Sequence, residues 1–191
     1  MRNKNKTYTT IPTLFAFSAC LFICPKIAQA QGTFSKPGLI TSIGQSSDIA
    51  VVKALLNTKL KLGLEAKALA QVADLSGMKT LVVVLGASVK GLGTAGLNFD
   101  QEMDRAKVML KAAKEKDIQI LTMHVGGEAR RGKTTNDLIE SIVPESKHIV
   151  VVASGNKDKI FNTMAAKHGI PVAEVPNLAA AGDAVKSLFK E

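Results

Sequence analysis

The chain has no tryptophan, one tyrosine and two cysteines among its 191 residues, and aromatic residues make up only 4% of it. The scarcity sharpens on inspection, because Tyr8, Cys20 and Cys24 all fall within the first thirty positions. That stretch has the order of a secretory signal peptide: positive Arg2, Lys4 and Lys6, an uncharged apolar run from Ile11 to Cys24, then the small-residue end Ala28-Gln29-Ala30. The run is shorter than the roughly 20 residues of a transmembrane helix. Reading Phe17-Ser18-Ala19-Cys20 as a lipidation box would leave apolar Leu21-Phe22-Ile23 at the new N-terminus, which makes a lipoprotein the minor alternative. Cleavage after Ala30 predicts an exported protein, periplasmic behind two membranes and otherwise secreted or on the cell surface.

What remains after cleavage has no cysteine, which excludes a disulfide framework, a thiol nucleophile and a cysteine metal site. Its only aromatic rings besides histidine are Phe34, Phe99, Phe161 and Phe189. Sugar sites and single-stranded nucleic-acid platforms usually stack their ligands on tryptophan and tyrosine. Both are disfavoured, and no nucleic-acid partner is expected. His124, His148 and His168 have no metal-ligand spacing. No G-x-S-x-G elbow is present to carry a serine nucleophile. No cofactor, metal or catalytic residue is therefore assigned.

Charge is the first positive signal. The leader holds four of the 25 basic residues and no acid, so 21 remain against 16 acids, a net charge of +5. Only three of those 21 are arginines, and two are adjacent, Arg130 and Arg131. Arginine is the side chain suited to forked recognition of carboxylate or phosphate.

After a linker-like stretch at 31–37, short apolar runs alternate with helical patterns through one domain, 38–191. Strands are expected at 39–43, 66–71, 80–85, 118–125, 148–153 and 171–175. The continuous Val/Leu/Ile runs at 80–85 and 148–153 suit central parallel strands covered on both faces. Ile49, Val52, Leu56 and Leu60 form a helical stripe that Ser47 would cap. Phe99, Met103, Ala106, Leu110 and Ala113 form another, with Asn98 and Gln101 as a capping box. Helices are also expected over 157–168, stopped by Gly169 and Pro171, and over 178–189. The alternation predicts a single α/β domain of flavodoxin-like or Rossmann-like class, with a mostly parallel five- or six-stranded sheet between helix layers. Ligands of such sheets sit beyond the carboxyl ends of the strands. The loops there are 44–48, 86–98, 124–135 and 154–158.

Two motifs fall in those loops. Gly127-Glu128-Ala129-Arg130-Arg131-Gly132-Lys133-Thr134 fits the phosphate-loop pattern between an expected strand and helix. No neighbouring strand ends in the aspartate that would hold magnesium, and an exported protein meets little ATP. Gly91-Leu92-Gly93-Thr94-Ala95-Gly96 fits a dinucleotide pattern, but is displaced from its strand and has no acidic partner for a ribose. It reads as a flexible, lid-like loop, with Ser88 and Lys90 as ligand contacts.

Three strings, Gly44-Gln45-Ser46-Ser47-Asp48, Lys90-Gly91-Leu92-Gly93 and Gly126-Gly127-Glu128-Ala129-Arg130-Arg131-Gly132, together resemble a family of bacterial exported proteins known only as a domain of unknown function. The resemblance spans roughly Leu39 to Pro176 and implies no transferable activity or site. It also implies that Lys133-Thr134 is an untypical continuation, so that the phosphate-loop match is accidental.

The expectation is a non-catalytic exported domain that holds a small carboxylate or phosphate compound at the carboxyl edge of the sheet. Arg130 and Arg131 would supply the charge, with Gly127, Gly132 and Thr134 as backbone donors. Gln45, Ser46, Ser47, Ser88, Lys90, His124 and Glu128 would line the walls. Familiar solute-binding proteins close two lobes on a ligand, and this chain has one. A homodimer, or a membrane transporter or sensor, would then complete the site. The alternatives are a nucleotide-binding protein or hydrolase using the same loops, and a protein-interaction module in which the arginines only bridge acids of the fold.

Overall fold

A computed structural model describes residues 33–189, so the signal-peptide reading and the leader cysteines lie outside the described residues. Six strands, all parallel, form one sheet: β1 (Gly38–Ile43), β2 (Glu65–Ala66), β3 (Thr80–Leu85), β4 (Gln119–His124), β5 (His148–Val152) and β6 (Val172–Val175), in the order β2-β1-β3-β4-β5-β6. β3 and β5 are buried along their whole length, as their unbroken apolar sequences require. Side chains alternate between faces, so each strand feeds two cores. Leu81, Val83, Leu85, Ile149 and Val151 pack with Met109, Leu110, Ile139 and Phe161 on one side. Ile40, Val82, Val84 and Val150 pack with Val52, Leu56, Ala181 and Val185 on the other. Helices α1 (Asp48–Lys53), α3 (Phe99–Glu115), α4 (Lys133–Ile142), α5 (Ile160–Lys167) and α6 (Leu178–Leu188) supply those layers, and α2 (Val89–Thr94) lies at the end of β3.

The helix with a complete local signature forms as expected. Asn98 Oδ1 accepts from Gln101 N and Gln101 Oε1 accepts from Asn98 N, both at 2.9 Å, closing the box at the start of α3. Other expectations need correction. The strand expected at 66–71 pairs only over Glu65–Ala66, because Asp74 bonds the Gln71 amide at 2.7 Å and pulls the chain into a 3₁₀ turn at Val72–Leu75. The helix expected from residue 157 starts at Ile160, since Lys159 takes a left-handed conformation and Asn156 Oδ1 accepts from Phe161 N. Ser47 does not cap α1 with its side chain. The glycine-rich segment expected to be a lid-like loop is helix α2, with Ser88 Oγ accepting from Gly91 N at 3.1 Å. Within the stretch read as a linker, Phe34 is fully buried, and its ring stacks on Phe189 with centroids 5.8 Å apart.

Register decides where the site is. Ile43 stands opposite Leu85, Val84 opposite Met123 and His124 opposite Val151. The carboxyl ends of β1, β3, β4 and β5 therefore finish nearly level. The order reverses between β1 and β3, the place where sheets of this order carry a crevice. Here the two loops are tied together, Ser88 N donating to the Gly44 carbonyl at 2.8 Å and Gln45 bridging Ala87.

Candidate functional site

Each wall of this crevice is set by a backbone feature. After β1 the chain turns through Gly44 (φ 95°) and Gln45 (φ 54°). A Cβ on Gly44 would lie 2.4 Å from the Gly86 carbonyl oxygen, so the two strand ends can meet only with glycine there. Gln45 turns inward: its amide donates to Glu102 Oε1 at 3.0 Å, and Glu102 also accepts from Gly44 N at 2.8 Å. Glu102, fully buried on α3, is matched by Arg105, which donates Nε to Oε2 at 2.7 Å and Nη2 to Oε1 at 2.9 Å. The remaining Arg105 donors reach the carbonyls of Ser42 and Ala70. This buried ion pair fixes the floor beside β1. Neither Glu102 nor Arg105 stood out in the sequence, because both lie in an ordinary charged helix pattern.

Asp48 enters the crevice at the first turn of α1. Its carboxylate meets Arg130 at a long separation, Nε lying 3.3 Å from both Oδ1 and Oδ2. Arg130 Nη2 donates to Ser47 Oγ at 3.0 Å. Arg130 Nη1 has no partner among the described residues, and the side chain is 28% exposed. Gly126 makes the approach feasible: a Cβ there would fall 2.3 Å from Asp48 Oδ2 and 2.2 Å from Arg130 Cγ. Behind the pair, buried Ser46 Oγ and Asp48 Oδ2 make no hydrogen bond. Both border Gly86, where a Cβ would sit 3.4 Å from the hydroxyl and 3.5 Å from the carboxylate oxygen.

Arg131 points the other way. It donates to Asp158 (3.0 and 2.8 Å), Asn136 Oδ1 (2.7 Å) and the Gly155 carbonyl (2.6 Å), and lies over the Phe161 ring. Hydrogen bonding to Arg131 holds the Asp158 carboxyl below its ordinary range. The adjacent arginines are thus divided, one facing the crevice and one pinning the β5 loop to α4. His124 is fully buried against Phe161, with Nδ1 2.9 Å from the Leu85 carbonyl. Burial holds its imidazole below the ordinary value, and Nε2 faces Gly155 without a hydrogen bond.

The other expected residues are scattered. Glu128 is exposed and pairs with Lys157. Gly127 (φ 61°) backs onto Ser154, and Gly132 precedes α4. Thr134 is half-buried, whereas its neighbour Thr135 accepts from Ala87 N at 3.1 Å and joins α4 to the end of β3. Lys133 extends to Asp137 on its own helix rather than back over the loop, and is 88% exposed. Ser88 is occupied in capping α2, and Lys90 lies exposed on that helix. Gly91 is required for packing, since a Cβ would lie 1.9 Å from the Gln45 carbonyl oxygen. The dinucleotide-like glycine thus serves a helix–loop contact. Asp48, Gly86 and Gly126 complete the crevice. The first closes the Gly-Gln-Ser-Ser-Asp string and Gly126 opens the Gly-Gly-Glu-Ala-Arg-Arg-Gly string, whereas position after a strand was the only signal for Gly86. Among the described residues no cluster of His, Cys, Asp or Glu could hold a metal, and no helix is long and apolar enough to cross a membrane.

The strand order and the polar crevice define a doubly wound α/β domain of flavodoxin-like type. A family model described as "Domain of unknown function (DUF6305)" matches residues 35–189, and the chain belongs to that family. No curated protein matches it in sequence.

Proposed function

We infer that this is an exported, non-catalytic domain that binds a small anionic solute, a carboxylate or phosphate compound, with Arg130 as its anchor. The observation that carries the reading is the free Nη1 nitrogen of Arg130, whose part-exposed side chain lies against Ser47 and Asp48 after β1. A guanidinium edge offers two parallel donors to such an anion. Ser47 holds that edge in place, and Lys90 adds an exposed positive charge at the end of β3. Export rests on the leader pattern of the first thirty residues. Transport or sensing with a membrane partner, or completion of the site by a second copy, fits a single lobe.

Arg131 favours a second reading, an interaction module without small ligand, because its guanidinium is already committed to Asp158, Asn136 and Gly155. The phosphate-loop reading draws on the sequence pattern alone, with Lys133 turned towards Asp137.

A thermal-shift panel of di- and tricarboxylates, phosphate and sulfate compounds, and nucleotides with and without magnesium separates the three. A ligand at about 100 times its Kd adds roughly 2.7 kcal/mol, several degrees at this size. The expected result is a carboxylate or phosphate shift abolished in Arg130→Ala but retained in Arg131→Ala, which instead lowers the starting Tm. A shift confined to magnesium-nucleotide and lost in Lys133→Ala overturns the reading, and a flat panel turns it towards the interaction module.

A further inference from the structure

Arg130 does not stand alone, and its neighbour constrains what it can bind. In the described state the guanidinium is the cation that faces Asp48, whose side chain is only 11% exposed. The pairing is loose, at 3.3 Å against the 2.7–2.9 Å usual for charge-assisted bonds. A plain anion that draws Arg130 outward strips Asp48 of its partner, and a largely buried carboxylate left unpaired is strongly unfavourable. A ligand that brings its own cation avoids that penalty by exchanging one ion pair for two.

Two acceptors suit that cation. Ser46 Oγ and Asp48 Oδ2 are both buried acceptors without a hydrogen bond, and both border the space beside the Gly86 Cα. The Ser46 residue is 2% exposed and Asp48 8%. Buried polar atoms of this kind call for a donor, and an ammonium carries three. Asp48 Oδ2 lies 3.3 Å from Arg130 Nε as well, so one carboxylate oxygen borders both the guanidinium and the Gly86 position.

We propose that the solute is a zwitterion, an amino-carboxylate, whose carboxylate takes Arg130 while its ammonium takes Asp48 and Ser46 beside Gly86. The inference rests on the anion-binding reading above and narrows it to one ligand class. Ligand binding then swaps partners around Asp48 and Arg130 without leaving either charge unpaired, and both residues serve in binding rather than one neutralising the other.

The test compares matched pairs on the purified protein by calorimetry: glycine with acetate, L-aspartate with succinate, and L-glutamate with glutarate. At least one amino acid should bind about tenfold or more tightly than its amine-free partner, the size expected of a hydrogen bond to a charged group. Asp48→Asn should erase that preference and tighten the plain acid, because Arg130 is then released. Gly86→Ala should erase the preference alone. The added methyl makes only ordinary van der Waals contacts there, so this variant keeps the fold. Arg130→Ala should lose both members of each pair. Plain acids binding as well as their amino counterparts, or a preference that survives Asp48→Asn and Gly86→Ala, overturns the zwitterion and leaves the anion reading standing. Failure of every pair to bind overturns the zwitterion, and only a thermal-shift panel that is also flat for phosphate and sulfate compounds overturns the anion reading with it.

Discussion

His124 illustrates how one buried side chain writes a pH dependence into the whole protein. Desolvation lowers its pKa, Arg131 adds to the effect, and the Leu85 carbonyl, the Gly127 backbone and Asp48 oppose it. Burial lowers the pKa of His148 as well. The unfolded chain takes up these protons near pH 6.5, while the folded one resists them. Stability is thus fully present above about pH 6.5 and falls as pH drops from there through the lowered folded values. The lowered Asp74, Asp158 and Glu174 carboxyls add their loss only at more acidic pH, below about 4. Urea midpoints should decline between pH 7 and pH 5, and less steeply in His124→Asn, which keeps a donor for Leu85. An unchanged slope in the variant would remove His124 from this account. At this scale the sequence was only half legible. Arg130 and Arg131 are identical by type and adjacent, yet their tasks diverge because Gly126 lets one lie against Asp48 while Asn136 and Asp158 capture the other.

At the scale of elements, α3 offers two devices of different strength. The Asn98 cap satisfies an exposed backbone amide, and Asn98→Ala should cost about 1 kcal/mol in chemical denaturation. Glu102 ties the same helix to the turn after β1, and removing it leaves Arg105 buried without its counter-ion. Glu102→Ala should cost about 3–5 kcal/mol, whereas changing both Glu102 and Arg105 to Met should recover much of that loss. A double change that costs as much as the two single changes added together would show that the pair is not coupled. The same contrast explains which elements could be read beforehand. A cap box and an unbroken Val/Leu run are local signals, so α3, β3 and β5 are evident from their own residues. The late start of α5 depends on Lys159 turning left-handed, and α2 depends on Gly91 fitting against the Gln45 carbonyl. Neither is a property of the segment itself. The crevice was legible only as a location, from the rule that ligands sit beyond strand ends. The pairing of Asp48 with Arg130, 82 positions apart, was not.

For the molecule as a whole, the sheet divides two cores that share every central strand, so they should unfold together. With no tryptophan or tyrosine in the described residues, single reporters can be placed cleanly. Phe161→Trp reads one layer and Phe189→Trp the other. Their denaturation curves should coincide, as two-state behaviour demands. Separated midpoints would show that the layers melt independently. The contact between Phe34 and Phe189 has a consequence of another kind. Phe34 N donates to the Leu188 carbonyl at 2.9 Å, so both ends of the described chain meet near the start of β1. The crevice lies at the finish of the strands. A tether, tag or bead attached through either end grips the protein from behind, and leaves its mouth turned towards whatever arrives from solution.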